Sequence, residues 1–190
     1  LHELLHNMEA MFMQQAINKG LRLRFELANG LPQYVNGDKR KLRQILYNLL
    51  SNAVKFTDRG EIMLQAQATR RSQTAPGADA MDDQAAMCQL RFDVQDTGRG
   101  ISQEDLTKLF RPFVQTESGL RSQQGTGLGL SISREFANLM AGDINVESEP
   151  SNGTRFIVTV HMRDVTGCVE PSAPQPRIVG IQPGQGPYHI

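Results

Sequence analysis

Leu4, Leu5, Met8, Met11, Phe12 and Ala16 recur at spacings of three and four, which predicts one apolar helical stripe over residues 2–18, ending near Lys19-Gly20. The stripe reads as core rather than as a partner surface. The period then becomes two: Leu21, Leu23, Phe25 and Leu27 alternate with polar residues, as in a half-buried strand, before the turn-like Asn29-Gly30-Leu31-Pro32. Asp38 can cap a second helix, whose Leu42, Ile45, Leu46, Leu49, Leu50 and Ala53 cluster within roughly 140° of arc at ~100° per residue. Asn48, Asn52 and Lys55 share a narrow stripe about 120° from that apolar centre, so two amides and an amine aim at one place on the border of core and solvent.

Residues 61–68 and 89–95 alternate again, with Ile62, Leu64 and Ala66 on one and Leu90, Phe92 and Val94 on the other, and read as a strand pair. Residues 70–87 between them have no period and read as an exposed insertion without assigned function. Ser102 with Asp105 three residues on starts a short helix to Phe110, stopped by Pro112. Residues 128–141 form the next helix, closed by Gly142, and strands 143–148 and 154–162 meet across Pro150-Ser151-Asn152-Gly153, where Asn-Gly is a hairpin signal. The resulting order, α-β-α-β-β-α-α-β-β, predicts an α+β two-layer sandwich: one mixed sheet covered on one face by helices. Past Val165 the composition turns to Pro, Gly, Gln and Ser, which is a linker or tail.

A length of 190 residues suits one substantial domain with a flanking tail. Twenty basic and twenty acidic residues leave no net charge, so no long-range field favours nucleic acid or an anionic membrane, and an anion site must be local. Cys88 and Cys168 sit in or beside polar, loop-like sequence with neither disulfide nor metal-ligand spacing, which fits reduced cytosolic thiols. No run approaches the ~20 apolar residues of a membrane span. A start without methionine inside a helical pattern is what a piece of a longer parent would show.

The candidate chemistry begins at Gly125-Thr126-Gly127-Leu128-Gly129-Leu130, three glycines at alternate positions opening onto a helix. Glycine has no β-carbon to hold an anion away, and N–H groups freed at a helix start can bind one; the same residues also allow a plain chain reversal, and both readings stand. No GxxxxGK[ST] occurs, and GxGxxG fails because Leu130 stands where the last glycine belongs. Asp96, at a strand end in a glycine-rich turn, can accept a hydrogen bond from an exocyclic amine or close an Asx turn in its own loop. Asn52 can ligate Mg²⁺ through its carbonyl oxygen or be a solvated helix residue, and Lys55 can neutralise a phosphate or be a surface charge. Phe110 and Phe113 suit core or lid-hinge roles, and the polar loop 115–124 is placed to cover a bound ligand. The four histidines, His2, His6, His161 and His189, have no partner spacing that marks a metal or nucleophile site.

Taken together, these stretches resemble the sensor histidine kinases. Asn48-Leu49-Leu50-Ser51-Asn52-Ala53-Val54-Lys55-Phe56-Thr57 is similar to their N box, Asp96-Thr97-Gly98-Arg99-Gly100-Ile101 to the first glycine box, Leu109-Phe110-Arg111-Pro112-Phe113 to the F box and Gly125 to Leu130 to the second glycine box. Asn152-Gly153-Thr154 resembles the third, less distinctive glycine motif. The resemblance implies a Bergerat-type sandwich over residues 19–165 that binds ATP with Mg²⁺ and donates the γ-phosphoryl group to a histidine on a neighbouring helical dimerisation domain. Residues 1–18 would follow that domain, and residues 166–190 would lead toward a receiver domain, as in hybrid kinases.

Carried onto matching positions, the resemblance has Asn52 hold Mg²⁺, Asn48 and Lys55 approach the phosphates, and Asp96, with Gly98, Gly100 and Ile101 in its loop, bind the adenine amino group. Phe56 and Thr154 would line the base pocket, Gly125, Thr126, Gly127, Leu128, Gly129 and Leu130 would start the helix under the phosphates, and Arg121 would contact the γ-phosphate from the lid. The phosphoacceptor motif is absent: His2-Glu3-Leu4 continues as Leu5-His6-Asn7, so this chain alone is expected to bind ATP without autophosphorylating. The partners expected are the phosphoacceptor domain and a receiver domain or response regulator, in the cytoplasm or as the cytosolic part of a membrane-anchored receptor, without nucleic acid or direct membrane contact. Related chaperone, gyrase and mismatch-repair ATPases carry glutamate at the position of Asn48, and an amide cannot take the proton from water, which favours transfer to histidine over hydrolysis. A non-catalytic regulatory module of the same fold, or an ATPase of this superfamily, are the alternatives.

Overall fold

A computed structural model describes residues 1–70, 87–113 and 127–165. The first helix, α1 (His2–Asn18), buries Leu4, Leu5, Met8, Phe12 and Ala16 and ends in a Schellman motif. There the Leu21 N–H reaches the Ala16 carbonyl at 2.9 Å and the Gly20 N–H reaches Ile17 at 3.0 Å, with Gly20 at φ +71°. Helix α2 (Lys39–Phe56) starts at Asp38, whose carboxylate accepts from the Arg40 and Lys41 N–H groups at 3.0 Å each. All six residues of its apolar arc are buried. Truncating a fully buried member such as Leu46 to alanine should cost about 2–5 kcal/mol.

One mixed sheet carries the rest. Strand β1 (Arg22–Leu27) runs parallel to β3 (Glu61–Arg70), which pairs antiparallel with β4 (Met87–Asp96). Strand β4 pairs antiparallel with β6 (Thr154–Asp164), whose far edge receives β5 (Asp143–Ser148) and then the two-residue β2 (Val35–Asn36). The inward residues Ile62, Leu64, Ala66, Leu90, Phe92, Val94, Phe156, Val158 and Val160 are all buried, and with the stripes of α1 and α2 they form one core. The opposite face carries Gln65, Arg91, Asp93 and Arg155; Asp93 is buried there between Arg91 at 2.9 Å and Arg155 at 2.7 Å. A short α3 (Gln103–Leu106), capped by the Ser102 hydroxyl, precedes α4 (Gly129–Leu139). The two-layer, helix-on-one-face architecture is the one the periodicities predict.

Several local readings are corrected. Strand β1 begins at Arg22, and its alternation weakens outward: Leu23 is buried, Phe25 half-buried and Leu27 exposed, because β1 is an edge strand. Arg70 and Met87 belong to strands, while 71–86 lie outside the described residues, as does the tail from 166. Cys88 is not in loop-like sequence but fully buried in β4, where its neighbours in sequence supply the polar outward face. Strand β2 has too few residues to show a period. Helix α4 spans 129–139 rather than 128–141, and its left-handed C-terminal residue is Ala141 (φ +54°), not Gly142.

The Asn-Gly hairpin is borne out, with a reversal one residue longer than Pro150–Gly153. Ser148 pairs with Thr154, so residues 149–153 span the reversal, and positive φ falls on Ser151 (+66°) and Gly153 (+83°). The reason is packing. A β-carbon on Gly153 would stand 2.0 Å from the Asp96 carbonyl oxygen, so this turn is shaped by the Asp96 loop beneath it.

Candidate functional site

The Asp96 loop is the most constrained part of the molecule. Asp96 ends β4 opposite Thr154 in the register, and both are 7% exposed. One carboxylate oxygen accepts from the Gly98 N–H at 2.8 Å, so the Asx turn allowed by the sequence does form. Gly98 lies against the end of α2, where an added β-carbon would meet the Phe56 carbonyl oxygen at 2.6 Å; Gly100 is left-handed (φ +68°) and lies under Glu149. Ile101 donates its N–H to the Ser148 hydroxyl at 2.9 Å, and Ser148 in turn reaches the Gly153 carbonyl at 2.8 Å and the Thr154 hydroxyl at 3.0 Å. Contacts from α2, β5 and β6 thus hold the loop that carries this carboxylate.

No cation faces that carboxylate among the described residues. Burial pushes Asp96 above the usual carboxylate range, against the opposing pull of the Gly98 and Thr154 backbone N–H groups and the nearby Thr57 hydroxyl. The Thr57 hydroxyl is near enough to favour the charge but makes no hydrogen bond of ordinary geometry, and Thr57 is fully buried. Among the described residues this leaves a buried hydroxyl beside a buried carboxylate that no cation compensates.

The α2 stripe connects this patch to α4. Phe56 and Lys55 stand at the Asp96 end, and the Lys55 ammonium lies 4.9 Å from the Phe56 ring centroid, with burial drawing it below the usual lysine range. Asn52 is half-buried and its amide makes no hydrogen bond among the described residues. Asn48, eight residues and about 12 Å of helix from Phe56, meets α4: its amide donates to the Gly129 carbonyl at 3.1 Å and the Ser133 hydroxyl at 3.0 Å, and accepts from Gln44 at 3.1 Å. Gly127 is left-handed (φ +71°), and Leu128, Gly129 and Leu130 turn the chain into α4 half-buried. A cleft of about 1100 Å³ opens here, with Lys39, Lys41, Gln44, Asn48, Leu128 and Gly129 in its walls, and neither Asn52 nor Asp96 among them.

The structure therefore brings Asn48, Asn52, Lys55, Phe56, Asp96, Gly98, Gly100, Ile101, Thr154 and the 127–130 turn into one continuous band. Arg121, Gly125, Thr126, the 115–124 loop and Cys168 lie outside the described residues. Phe110 packs half-buried under the Arg134 guanidinium at 4.8 Å, and Arg134 pairs with Asp143 at 3.0 Å; Phe113 is 77% exposed with φ +62°. Sequence reasoning passed over Thr57, Ser148 and Ser133. Only the position of Ser148 at a strand end opposite Thr154 could have marked one of them, and that register is set by the fold.

Whether Mg²⁺ suits this band can be judged from its donors. No group of three or more His, Cys, Asp or Glu side chains that could cage a metal occurs among the described residues. One free amide oxygen on Asn52 fits an ion that keeps most of its shell as water and substrate phosphate.

Residues 37–164 match the family described as histidine kinase-, DNA gyrase B-, and HSP90-like ATPase. The chain is 38% identical over 159 residues to hybrid signal transduction histidine kinase B of Dictyostelium discoideum, covering 83% of this chain and 8% of that protein. It is 39% identical over 163 residues to the aerobic respiration control sensor protein ArcB of Escherichia coli, covering 85% of this chain and 19% of that protein. The chain thus spans less than a fifth of the length of these curated relatives. Among solved structures it is similar to full-length ShkA in complex with AMPPNP (TM-score 0.66, 29% identity, 85% of this chain and 30% of that one) and to the nucleotide-free catalytic domain of the histidine kinase ThkA (TM-score 0.64, 28% identity, 85% and 93%). With its motif order, its sheet topology and these likenesses in agreement, the chain belongs to the histidine kinase-, DNA gyrase B- and HSP90-like ATPase family, as an ATP-binding catalytic domain of the sensor histidine kinase kind.

Proposed function

We propose that this domain binds ATP along the α2 band with adenine at Asp96 and phosphates toward Gly129, and presents the γ-phosphoryl group to a histidine of a dimerisation domain not in this chain. The observation that carries the reading is the linear placing of unlike groups along one helix, α2: the uncompensated buried carboxylate of the β4 end against its last turn, the Asn52 amide on its middle, and the glycine-opened start of α4 against Asn48. Asp96 would accept from the exocyclic amine of adenine, with the Thr57 hydroxyl beside it and Phe56 and Thr154 at the ring. Lys55 would leave the Phe56 face to meet phosphate charge, and Gly125 to Leu130 with Arg121 would close over the phosphate end. Asn52 would hold Mg²⁺ together with the phosphates, and the bound ion would neutralise charge developing on the transferred group.

Asn48 separates this reading from that of an ATPase. Its amide has no basic atom to activate water, and its hydrogen bonds already go to Gly129, Ser133 and Gln44. Calorimetry with Mg²⁺ and ADP tests the binding: saturable binding supports the proposal, whereas none at millimolar nucleotide would indicate a regulatory module. Hydrolysis of ATP at a substantial rate without any histidine substrate would instead favour the ATPase. The partners that follow from the relatives' hybrid kind are a phosphoacceptor domain and a receiver domain or response regulator, with the cytoplasm as the site of action. No helix among the described residues is long and apolar enough to cross a membrane.

A further inference from the structure

We infer that Lys19 is a positioning residue for the nucleotide site: a strut from the end of α1 that fixes the last turn of α2, on which Lys55, Phe56 and Thr57 are carried. The Lys19 ammonium donates to the Val54 carbonyl at 2.6 Å and to the Lys55 carbonyl at 2.9 Å, across 35 and 36 residues of sequence. These are two of the carbonyls that a helix leaves without intrahelical partners at its C-terminus, where the macrodipole also favours a cation. The Thr57 N–H closes the same turn on the Ala53 carbonyl at 3.1 Å.

Lys19 is aimed by its own helix end. It is the C-terminal cap of α1, and the Gly20 reversal directly after it turns the chain into β1. The other contacts of α1 are equally fixed: Phe12 packs on Tyr47 of α2 with ring centroids 5.5 Å apart, and the buried stripe of α1 is continuous with the core. Displacement of α1 along its axis would therefore pull on the carbonyl of Lys55 itself. Lys19 lies before residue 37, where the family match begins, so the strut links the nucleotide unit to the segment that precedes it. Whatever moves α1 moves the turn facing Asp96.

The inference rests on the nucleotide reading above, and its test separates the two. Lys19→Met keeps the length of the stem and removes the donors; Lys19→Arg restores donors on a similar stem. In the 190-residue chain, Lys19→Met should weaken calorimetric binding of Mg²⁺ and ADP about three- to tenfold, the worth of about one net hydrogen bond, and Lys19→Arg should recover most of it. Without nucleotide, the Phe56 and Thr57 amides should exchange hydrogen faster in Lys19→Met, while the β4 amides keep their protection. A merely structural lysine would lower the thermal midpoint and leave the affinity of the folded chain unchanged; that result, or unchanged exchange at Phe56 and Thr57, overturns the proposal. If the wild-type chain binds no ADP, the nucleotide reading falls and the positioning role falls with it, and exchange then decides only whether the strut exists.

Discussion

The two ends of α2 are built by opposite means. At the C-terminal end, four segments converge on the Asp96 loop, and the glycines there are required by contacts as short as 1.9 Å to the β-carbon each lacks. At the N-terminal end a broad cleft opens beside Asn48, whose single amide joins α2 to α4, and an added β-carbon on Gly129 would find its nearest neighbour at 3.7 Å, an ordinary contact. A flat base with a fixed donor and acceptor edge is best read by rigid buried groups, since a misplaced partner leaves a buried polar atom unpaired. A phosphate chain is read by backbone N–H groups and mobile charge, which tolerate room. The difference teaches that, on the nucleotide reading proposed above, specificity and phosphate handling would sit at separate ends of one helix and could be broken separately.

The largest break is expected at the rigid end. Asp96→Ala should lower ADP affinity by one to two orders of magnitude, roughly the worth of a hydrogen bond to a charged group, and should abolish preference for adenine over guanine nucleotides. Competition calorimetry with GDP checks it, and an intact preference would refute the role given to Asp96. The companion Asp96→Asn should raise the thermal midpoint of the free chain while weakening binding. An amide oxygen can still accept from Gly98, and the uncompensated buried charge is gone.

Next comes the turn that shapes that end. Gly153→Ala would set a β-carbon against the Asp96 carbonyl at a left-handed residue, for an expected loss of about 2–4 kcal/mol and a drop of roughly 5–15 °C in midpoint. The equivalent change at the open end, Gly129→Ala, should leave the midpoint nearly unmoved. Equal losses at both positions would dissolve the contrast between the two ends.

Asn48→Ala addresses the junction. It removes the bonds to Gly129 and Ser133 for about 1–3 kcal/mol of stability. It should weaken ADP far more than adenosine, because only the phosphate end loses its support. A parallel loss for adenosine would mean that the ends are not independent.

How much of this could be read from the chain itself follows the same division. The six-residue apolar arc of α2, the Asp38 cap and the alternation of β3 and β4 are local patterns, and all hold in the structure. The Asn48, Asn52 and Lys55 stripe was legible because helical projection needs only the sequence. What stayed hidden depends on contacts between distant segments: the orphan hydroxyl of Thr57, the Ser148 relay to Ile101 and Thr154, the reach of Lys19 to α2, and β2, whose two residues pair only because β6 runs past the end of β5. The Asn152-Gly153 signal does mark the turn, but the sequence does not show that its shape also answers to Asp96, 57 residues before Gly153.

The smallest effect is one of pH, and it sharpens the comparison most finely. Burial raises Asp96 above the ordinary carboxylate range, so in the folded chain it takes up a proton at a pH where exposed carboxylates remain charged. Its contribution to stability is fully present below the unfolded pKa and is lost as pH rises through the folded one, so free protein should gain slightly from this group on mild acidification. Asp93, on the bare face of the sheet, runs the other way. Burial alone would raise it, but hydrogen bonds and charge from Arg91 and Arg155 hold it below the usual range, so its contribution persists above the unfolded pKa and disappears only in stronger acid. Nucleotide affinity should accordingly begin to fall on acidification while the fold is still intact, because a protonated Asp96 accepts less well from an amine. In Asp96→Asn that early fall should vanish, leaving the flat baseline of a group that does not titrate. An equal decline in wild type and Asp96→Asn would assign the pH dependence to the phosphate end, and with it the claim that the base is read by a buried carboxylate would fail.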